Sequence, residues 1–270
     1  MLWYAEGCDR NSCGDGRRVW AEEHMICWHW QTGSKGHAMQ SIVVDTETTG
    51  LDPAKDGIVE IAGVWRTRPD DLEMFASFCD PGVPISPDSR GTHHIRDEQV
   101  RGSPAPLIAL QQMLGRCGIP AADRIYVAHS AQFDRSFLQR QMESLGIVNR
   151  WICTYRCAMH LWPDAPNYKL QTLRYYLQLE PDVPKDLYPH RALYDAIVAE
   201  ELLQFMLQQR RIEELIEMSQ SPVRMKTVGF GKHRGELWEN VPTSYLQWVV
   251  RQSDMDGDTL HTARYWLRTR

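Results

Sequence analysis

The feature that most constrains the fold is a short apolar run that ends in two acidic residues. Residues 41–52 read SIVVDTETTGLD, and the isoleucine and two valines at the start have the composition of a buried strand. Asp45 and Glu47 follow two residues apart, so along a strand they point to the same side. Two carboxylates at the edge of a core repel each other unless one is protonated or a cation lies between them. The run therefore predicts a strand whose end carries a shared proton or a positive ion.

The bulk composition is that of an ordinary soluble globular protein. The chain has 270 residues, of which 43% are hydrophobic and 24% are charged, so one large domain with an extra module, or two domains, can form. The formal charge of -5 gives no global basic field. Residues 221–270 nevertheless carry 8 basic against 5 acidic residues. Any binding of nucleic acid is therefore expected at local patches.

Cysteine use and the absence of targeting signals indicate the compartment. The seven cysteines are an odd number and include no C-x-x-C pair, which favours reduced thiols over zinc ligands or disulfides. The N-terminus lacks a basic-then-apolar signal pattern, and no run approaches the length of a membrane-spanning helix. We expect a cytoplasmic enzyme or binding protein with no membrane partner.

Composition and periodicity predict four segments. Residues 1–39 hold four tryptophans and three cysteines without periodicity, and we interpret them as an extension, either disordered or upstream of a true start at Met39. Residues 40–212 form the main domain, and residues 213–225 are predicted to be a linker. Residues 226–270 form a small module, which is a candidate for contact with DNA.

Within the main domain, strands come first and then alternate with helices. This order is typical of an α/β fold with a mixed sheet flanked by helices. The C-terminal module reads as α+β, with a strand and a Gly-rich turn before a helix. The main strands are predicted near residues 41–51, 57–67, 73–82 and 124–130, and the main helices near 106–118, 132–146, 169–179 and 190–209. The segment at residues 151–163 is predicted to start as a short strand and to become a helix.

Two further acids stand where strands end or helices begin. Asp134 follows the predicted strand IYVAH, and Asp195 lies five residues after His190. In α/β sheets such positions converge on one crevice. Each residue also has an ordinary explanation, since acids are favoured in the first turn of a helix and a histidine after a proline can be a surface residue. Taken one at a time, both interpretations stay open.

The three motifs taken together resemble those of a known family. The similarity is to the exonuclease motifs of the DEDD superfamily, in its histidine-containing (DEDDh) branch. It is carried by VVDTETTGL, VAHSAQFDRSFL and HRALYDA, in this order, and covers roughly residues 42–208. The resemblance implies a ribonuclease H-like fold and 3′→5′ exonuclease activity. Members often have HNAxFD where this chain has HSAQFD, with Ser130 in place of the asparagine. The residues that match the four acids and the histidine of the family are Asp45, Glu47, Asp134, Asp195 and His190.

The resemblance also implies a cofactor and a mechanism. Two Mg²⁺ ions, with Mn²⁺ as a substitute, are expected among the four carboxylates, because hard divalent cations prefer oxygen ligands. Asp45 is predicted to bridge both ions, Glu47 and Asp195 to complete the two shells, and Asp134 to bind the second ion directly or through water. His190 is predicted to be the general base, because the pKa of an unperturbed histidine lies near neutrality.

Substrate contacts are predicted from the loop after the acids and from the C-terminal module. Leu51 is either a floor for the terminal base or a core leucine. His94 either contacts the nucleotide or has a structural role. Tyr245 and Trp248 are interpreted as core residues. The predicted substrate-binding residues are Thr48, Gly50, Leu51, His94, Lys232 and Arg234.

Three functions fit these residues. The first is an exodeoxyribonuclease that releases nucleoside monophosphates from 3′ ends of single-stranded or duplex DNA during repair. The second is a proofreading exonuclease or an exoribonuclease that trims RNA, with the same catalytic residues. The third is a non-catalytic nucleic-acid-binding module, which loss of a catalytic acid would indicate, and the sequence retains all four acids.

Overall fold

The computed structural model describes residues 39–68, 70–147 and 150–270, so the predicted extension lies outside these residues except for Met39. The strands are β1 (Gln40–Thr48), β2 (Ile58–Arg68), β3 (Asp71–Phe78), β4 (Arg124–Ala128) and β5 (Arg150–Cys153). The helices are α1 (Pro87–His93), α2 (Asp97–Val100), α3 (Pro106–Cys117), α4 (Gln132–Ser144), α5 (Thr154–Leu161), α6 (Leu170–Tyr176), α7 (Ala192–Leu207), α8 (Ile212–Gln220), α9 (Thr243–Arg251) and α10 (Gly257–Arg268).

The five strands form one mixed sheet in the order β3-β2-β1-β4-β5. The first three strands pair antiparallel, whereas β4 and β5 run parallel to β1. The strand order therefore changes direction at β1. In open α/β sheets, ligands bind beyond the carboxyl ends of the strands at such a switch point. The predicted α/β class, with a mixed sheet flanked by helices, is confirmed.

Alternation along β1 divides its side chains between two cores. Ile42 and Val44 are fully buried on the face that α3 and α4 cover, among residues such as Leu110 and Leu138. Val43 is fully buried on the opposite face, where α5, α7 and α8 pack. Because successive side chains point to opposite faces, the two acids of β1 continue the row of Val43 and lie on the side of α7.

The segment predicted to be a linker contains a helix. α8 covers most of residues 213–225, and Leu215 is fully buried in the core of the main domain. The backbone N–H of Cys153 donates to Ser219 Oγ at 2.8 Å, which ties α8 to the end of β5. The prediction of a linker is therefore wrong for the part of this segment that α8 covers, because an amphipathic helix buries its apolar stripe there. The division of the chain into domains stays a prediction.

The C-terminal module is mostly helical. Its β part is one isolated bridge between Thr227 and Leu237, and the rest consists of α9, α10 and two short 3₁₀ turns. Its core surrounds Trp238, which is fully buried and donates from its indole N–H to the carbonyl of Thr227 at 3.0 Å. The predicted helix at α9 is present, and α10 is an element that the sequence analysis did not predict.

A bidentate ion pair joins the module to the main domain. Arg156 of α5 donates to both carboxylate oxygens of Asp258 in α10 at 2.8 and 2.9 Å. The same guanidinium reaches the carbonyl of Ser221, and the Asp258 carboxylate also accepts from the N–H of Val223. The paired fork fixes both distance and orientation, so the module is held against α5.

None of the helices in residues 39–68, 70–147 and 150–270 is both long enough and apolar enough to cross a membrane.

Candidate active site

Three acids from two elements meet at the carboxyl end of β1. Asp45 and Glu47 project from β1 toward α7, and Asp195 lies in the first turn of that helix. One carboxylate oxygen of each residue lies within 4.8 Å of the others. The structure therefore brings together three of the four predicted acids.

Asp134 reaches the same place from the other face of the sheet. It lies in the first turn of α4, directly after β4, and is buried. The pairing of β1 with β4 extends only to Val43, and beyond it the N–H and the hydroxyl of Thr46 both donate to Asp134 Oδ1 at 2.9 Å. Thr46 stands between Asp45 and Glu47 in the chain, so Asp134 is fixed to the strand that carries the other acids.

Burial raises the pKa of every acid in this group, and repulsion by neighbouring carboxylates adds to the shift for Asp45 and Glu47. Desolvation, and then the charges of Asp134, Asp195 and Glu47, hold the pKa of Asp45 well above its ordinary value. Burial and repulsion by Asp195 raise the pKa of Glu47 to about 9. Burial raises the pKa of Asp134 to about 7 although its hydrogen bonds from Thr46 oppose the shift, and burial also raises the pKa of Asp195. A bound cation would relieve this repulsion, because opposite charge favours the ionised carboxylate.

A buried ion pair that the sequence analysis missed lies beside the acids. Glu60 of β2 stands directly across the sheet from Glu47 and is only 3% exposed. Two like charges opposite each other destabilise a strand pair. Glu60 is instead satisfied by the guanidinium of Arg191 at 2.6 and 3.0 Å and by the N–H of Ala192 at 3.0 Å. The sequence offered two separate signals. One is an acid, Glu60, inside the apolar run IVEIAGV, and the other is an arginine, Arg191, directly after the predicted histidine.

His190 lies two residues before α7, so the helix begins slightly later than the predicted residue 190. Its N–H donates to Asp195 Oδ2 at 2.9 Å, and its side chain is exposed. Its φ of 64° places the backbone in the left-handed region, which costs most residues about 1–3 kcal/mol. The other oxygen of Asp195 accepts from Gln171 Nε2 of α6 at 3.3 Å, so three elements hold this acid in place.

The loop after β1 is organised around one carboxylate. Asp56 accepts from the hydroxyl of Thr49 at 3.0 Å and from the N–H of Asp52 at 2.9 Å. A Cβ on Gly50 would lie 2.4 Å from the same carboxylate, so the loop needs glycine there. Thr48 is buried and its hydroxyl donates to the carbonyl of Gly50 at 2.5 Å, which commits that side chain to the turn.

Leu51 at the tip of this loop is 83% exposed, so it is not a core leucine. Its role in substrate binding, like those of Thr48 and Gly50, stays a prediction.

Two adjacent histidines have different roles, since one is buried and structural and the other lies at the surface. His93 is buried; its Nδ1 accepts from the N–H of Ile95 at 3.0 Å, so its Nε2 carries the proton and donates to the carbonyl of Thr48 at 3.2 Å. His94 is exposed, has a φ of 58°, and lies 6.2 Å from the ring of Tyr188. Because Tyr188 precedes His190 by two residues, His94 borders the loop that carries the predicted base.

The turn between β4 and α4 is also held by a histidine. The ring nitrogens of His129 contact Thr154 Oγ1 at 3.0 Å and the carbonyl of Tyr168 at 2.8 Å, and burial lowers the pKa of His129 to about 4. The next residue, Ser130, has a φ of 66°. Asparagine tolerates this left-handed region better than serine, which explains in physical terms why an asparagine suits this position.

The remaining predicted contacts lie outside the acid cluster. Lys232 and Arg234 are exposed residues at the 3₁₀ turn Gly231–His233 of the C-terminal module. The structure therefore places these two residues on the module and not on the loops around β1.

The donor set fits hard divalent cations. Four carboxylates supply oxygen ligands, which Mg²⁺ and Mn²⁺ prefer, and their burial disfavours the ionised forms unless a cation is bound. Asp45, Glu47 and Asp195 would hold the first ion, and Asp134 adjoins them through Thr46. A buried acid cluster without cations would be poorly compensated, so the arrangement favours a metal centre.

Comparison with known proteins agrees with the geometry. The exonuclease family model (RNase_T) matches residues 42–203, which is more than half of the chain and includes all four acids and the histidine. The chain therefore belongs to the exonuclease family with the ribonuclease H-like fold, and it is a 3′→5′ exonuclease of the DEDD type.

Within this family the chain is similar to exodeoxyribonuclease 10 of Escherichia coli strain K12, with 30% identity over 231 residues that cover 83% of this chain and 97% of the relative. The sequence itself predicts a resemblance to this enzyme through three segments, WICTYRCAMHLWP, HRALYDA and FGKHRGELWENVPTSYLQWVV. That prediction is confirmed. A solved structure of exonuclease X with 5′-overhanging duplex DNA superposes with a TM-score of 0.53 at 28% identity, covering 66% of this chain and 99% of that chain.

A second group of relatives are much longer proteins. The PolC-type DNA polymerase III of Listeria innocua is 35% identical over 159 residues, covering 57% of this chain but 10% of the polymerase. Exonuclease I shares the fold, with a TM-score of 0.51 at 15% identity, covering 66% of this chain and 42% of that chain.

Proposed function

We propose that this exonuclease removes nucleoside monophosphates from the 3′ ends of DNA by metal-dependent hydrolysis, in DNA repair. The observation that carries the proposal is the convergence of Asp45, Glu47 and Asp195 within 4.8 Å, with Asp134 hydrogen-bonded to the intervening Thr46. The choice of DNA is supported by the similarity to exodeoxyribonuclease 10 of Escherichia coli over 97% of that relative.

Each acid has a role that follows from its position. The charges of Asp134, Asp195 and Glu47 all act on Asp45, which would suit a carboxylate shared between two ions. Two divalent ions, Mg²⁺ or Mn²⁺, when bound would neutralise the phosphate and lower the pKa of the attacking water. Glu47, Asp134 and Asp195 would complete the ligand shells and hold the 3′ end in register with the nucleophile.

His190 is proposed to be the general base. Its ring is exposed in a loop, next to the acid that its own N–H holds, and its strained backbone can change conformation as substrate binds. A base in this place takes the proton of the attacking water and passes it to solvent. General base catalysis contributes about 10²–10⁴-fold to rate.

The sharpest variant for this role is His190→Gly. Glycine accepts the left-handed backbone without strain, so the variant removes the ring while keeping the loop and the N–H that binds Asp195. We expect kcat to fall by about 10²–10⁴-fold with DNA affinity nearly unchanged, and added imidazole to restore part of the loss. Unchanged turnover in His190→Gly would remove this residue from the mechanism.

The substrate class is tested by time courses on 3′-labelled single-stranded DNA, duplex DNA and RNA, each with Mg²⁺, with Mn²⁺ and with chelator. DNA degraded in metal and spared in chelator is the expected result. Hydrolysis that survives chelation would contradict metal dependence, and RNA degraded much faster than DNA would favour an RNA-trimming exoribonuclease.

Proofreading is the second candidate function, and the similarity to PolC-type polymerases is the observation that favours it. A proofreading enzyme removes mismatched 3′ termini in preference to paired ones. Equal rates of hydrolysis on paired and mismatched duplex ends would contradict a proofreading function and favour a function in repair. A non-catalytic binding module is the weakest candidate, since all four acids are present and three of them converge.

A further inference from the structure

A row of aromatic rings crosses the C-terminal module. Tyr245 is its centre, with its ring 5.1 Å from Trp248 at an interplanar angle of 30° and 6.5 Å from Phe230, also at 30°. The imidazole of His233 meets the ring of Tyr245 at 4.5 Å. Tyr245 and Trp248 are three residues apart on α9, so they share one side of the helix.

The row ends in solvent. Trp248 is 45% exposed, whereas three other tryptophans in the described part of the chain, Trp65, Trp151 and Trp238, are buried. The expectation that Trp248 is a core residue is therefore wrong, because the core of the module is already filled around Trp238. An exposed indole stacked on a second ring is a large apolar surface that a monomeric fold does not need for stability.

Two basic residues accompany these rings. The ammonium of Lys232 lies 5.4 Å from the centre of the Tyr245 ring, and Arg251 is exposed one turn beyond Trp248 on α9. α9 itself contains no acidic residue. The surface formed by Tyr245, Trp248, Lys232 and Arg251, here called the ring surface, therefore combines aromatic faces with positive charge.

The ring surface is a built feature and not a chance contact. Gly231 has a φ of 62°, and a Cβ there would lie 2.5 Å from the hydroxyl of Tyr245. Only glycine lets the turn approach the ring this closely and carry Lys232 over its face. The Arg156–Asp258 pair then fixes the whole module against the catalytic domain.

We propose that the ring surface is a binding site for single-stranded DNA, separate from the carboxylate cluster. The inference rests on the proposed DNA substrate and deepens it. Unpaired bases expose π-faces that stack on aromatic rings, whereas duplex bases are already stacked on one another. The surrounding cations complement the phosphates of such a strand. Because the module is fixed, a strand bound here is held at a constant distance from the site of hydrolysis.

The test uses the full chain and two matched substitutions on α9. Trp248→Ala removes the stacking face, Trp248→Phe keeps an aromatic ring, and Gln247→Ala changes an exposed neighbour that lies outside the ring surface. Affinity for labelled dT20 and dT4 is measured by fluorescence anisotropy in chelator, where no turnover occurs. KM and kcat for dT20 are then measured with Mg²⁺.

We expect Trp248→Ala to weaken dT20 binding and raise KM by about 5- to 150-fold, which corresponds to one lost base stack, with kcat unchanged. Trp248→Phe should retain most of the affinity, Gln247→Ala all of it, and dT4 hydrolysis should be the same in every variant. Lys232→Gln should lower the salt dependence of dT20 binding.

Equal dT20 affinity in Trp248→Ala and wild type would overturn the inference. Anisotropy in chelator separates this inference from the proposed function. A chain that binds dT20 through Trp248 but hydrolyses no DNA would support the ring surface and contradict only the proposed activity.

Discussion

Two buried ion pairs join β2 to α7, and only one of them lies beside the acid cluster. Arg191 pairs with Glu60 beside the acid cluster, whereas Arg66 pairs with Glu200 further along both elements at 2.7 and 2.8 Å. The carboxylates are 4% and 3% exposed, and the guanidinium side chains are 21% and 25% exposed. Arg191→Met and Arg66→Met are therefore matched perturbations of stability, of which only the first touches the proposed active site.

Each substitution leaves a nearly buried carboxylate without its cation. Removing one partner of a buried pair costs about 3–5 kcal/mol, and partial exposure of the arginines favours the lower end. For a domain of this size a loss of 1 kcal/mol lowers Tm by about 2–4 °C, so we expect both variants to melt about 6–12 °C below wild type. Adding Glu60→Gln to Arg191→Met should recover part of the loss, because the uncompensated charge is removed.

We expect the two variants to differ in metal affinity and turnover. The charge of Arg191 lowers the pKa of Glu47, and its ion pair fixes the loop of His190 and the first turn that carries Asp195. Arg191→Met should therefore weaken binding of Mn²⁺ about tenfold, as loss of a supporting residue around a metal ligand does. Arg66→Met should leave metal affinity and turnover at wild-type values.

The assay combines thermal melting by circular dichroism, calorimetric titration of Mn²⁺, and hydrolysis rates at a temperature where all variants are folded. Equal metal affinity in the two variants would refute the reasoning that the Glu60–Arg191 pair supports the acid cluster. A Tm unchanged in both would refute the magnitude assigned to the buried pairs.

Two further predictions concern stability alone. The pKa of Glu47 is raised from 4.5 to about 9 and that of Asp134 from 3.8 to about 7, so the folded chain without metal binds more protons than the unfolded chain. Its Tm should consequently fall as pH rises from about 4.5 to 9, and Mg²⁺ or Glu47→Gln should flatten the curve; a metal-free Tm that rises over this range would contradict the assigned shifts. Ser130→Asn should raise the free energy of unfolding by about 1 kcal/mol in urea titrations, because the left-handed backbone of Ser130 favours asparagine, and a destabilised variant would show that the serine is otherwise needed.

Much of the fold follows from periodicity that is local in the sequence. The apolar run of β1, the alternation of β2 and the long helical pattern of α7 fall within a few residues of their predicted bounds. Their order predicts a mixed sheet whose first strand ends in acids. α8 escaped prediction because its apolar stripe is short and becomes buried only against β5 and α5.

The identity of the acids also follows from the sequence, because their spacing and order are local or depend on the chain order alone. Asp45 and Glu47 share a side of β1 by the pleat of any strand, and Asp134 and Asp195 each begin a helix. The structure adds that one oxygen from each of three acids falls within 4.8 Å, a distance that no spacing predicts.

Only the tertiary structure decided which side chains are paired and which are left in solvent. Glu60 and Arg191 are 131 residues apart, and nothing local to either one specifies the other. Leu51 and Trp248 have large apolar side chains of the kind that core residues have, yet packing leaves them 83% and 45% exposed. Exposure depends on what the rest of the chain places against a residue, so the sequence by itself determined the strand, its acids and their order, and the assembled fold determined their partners and the surfaces around them.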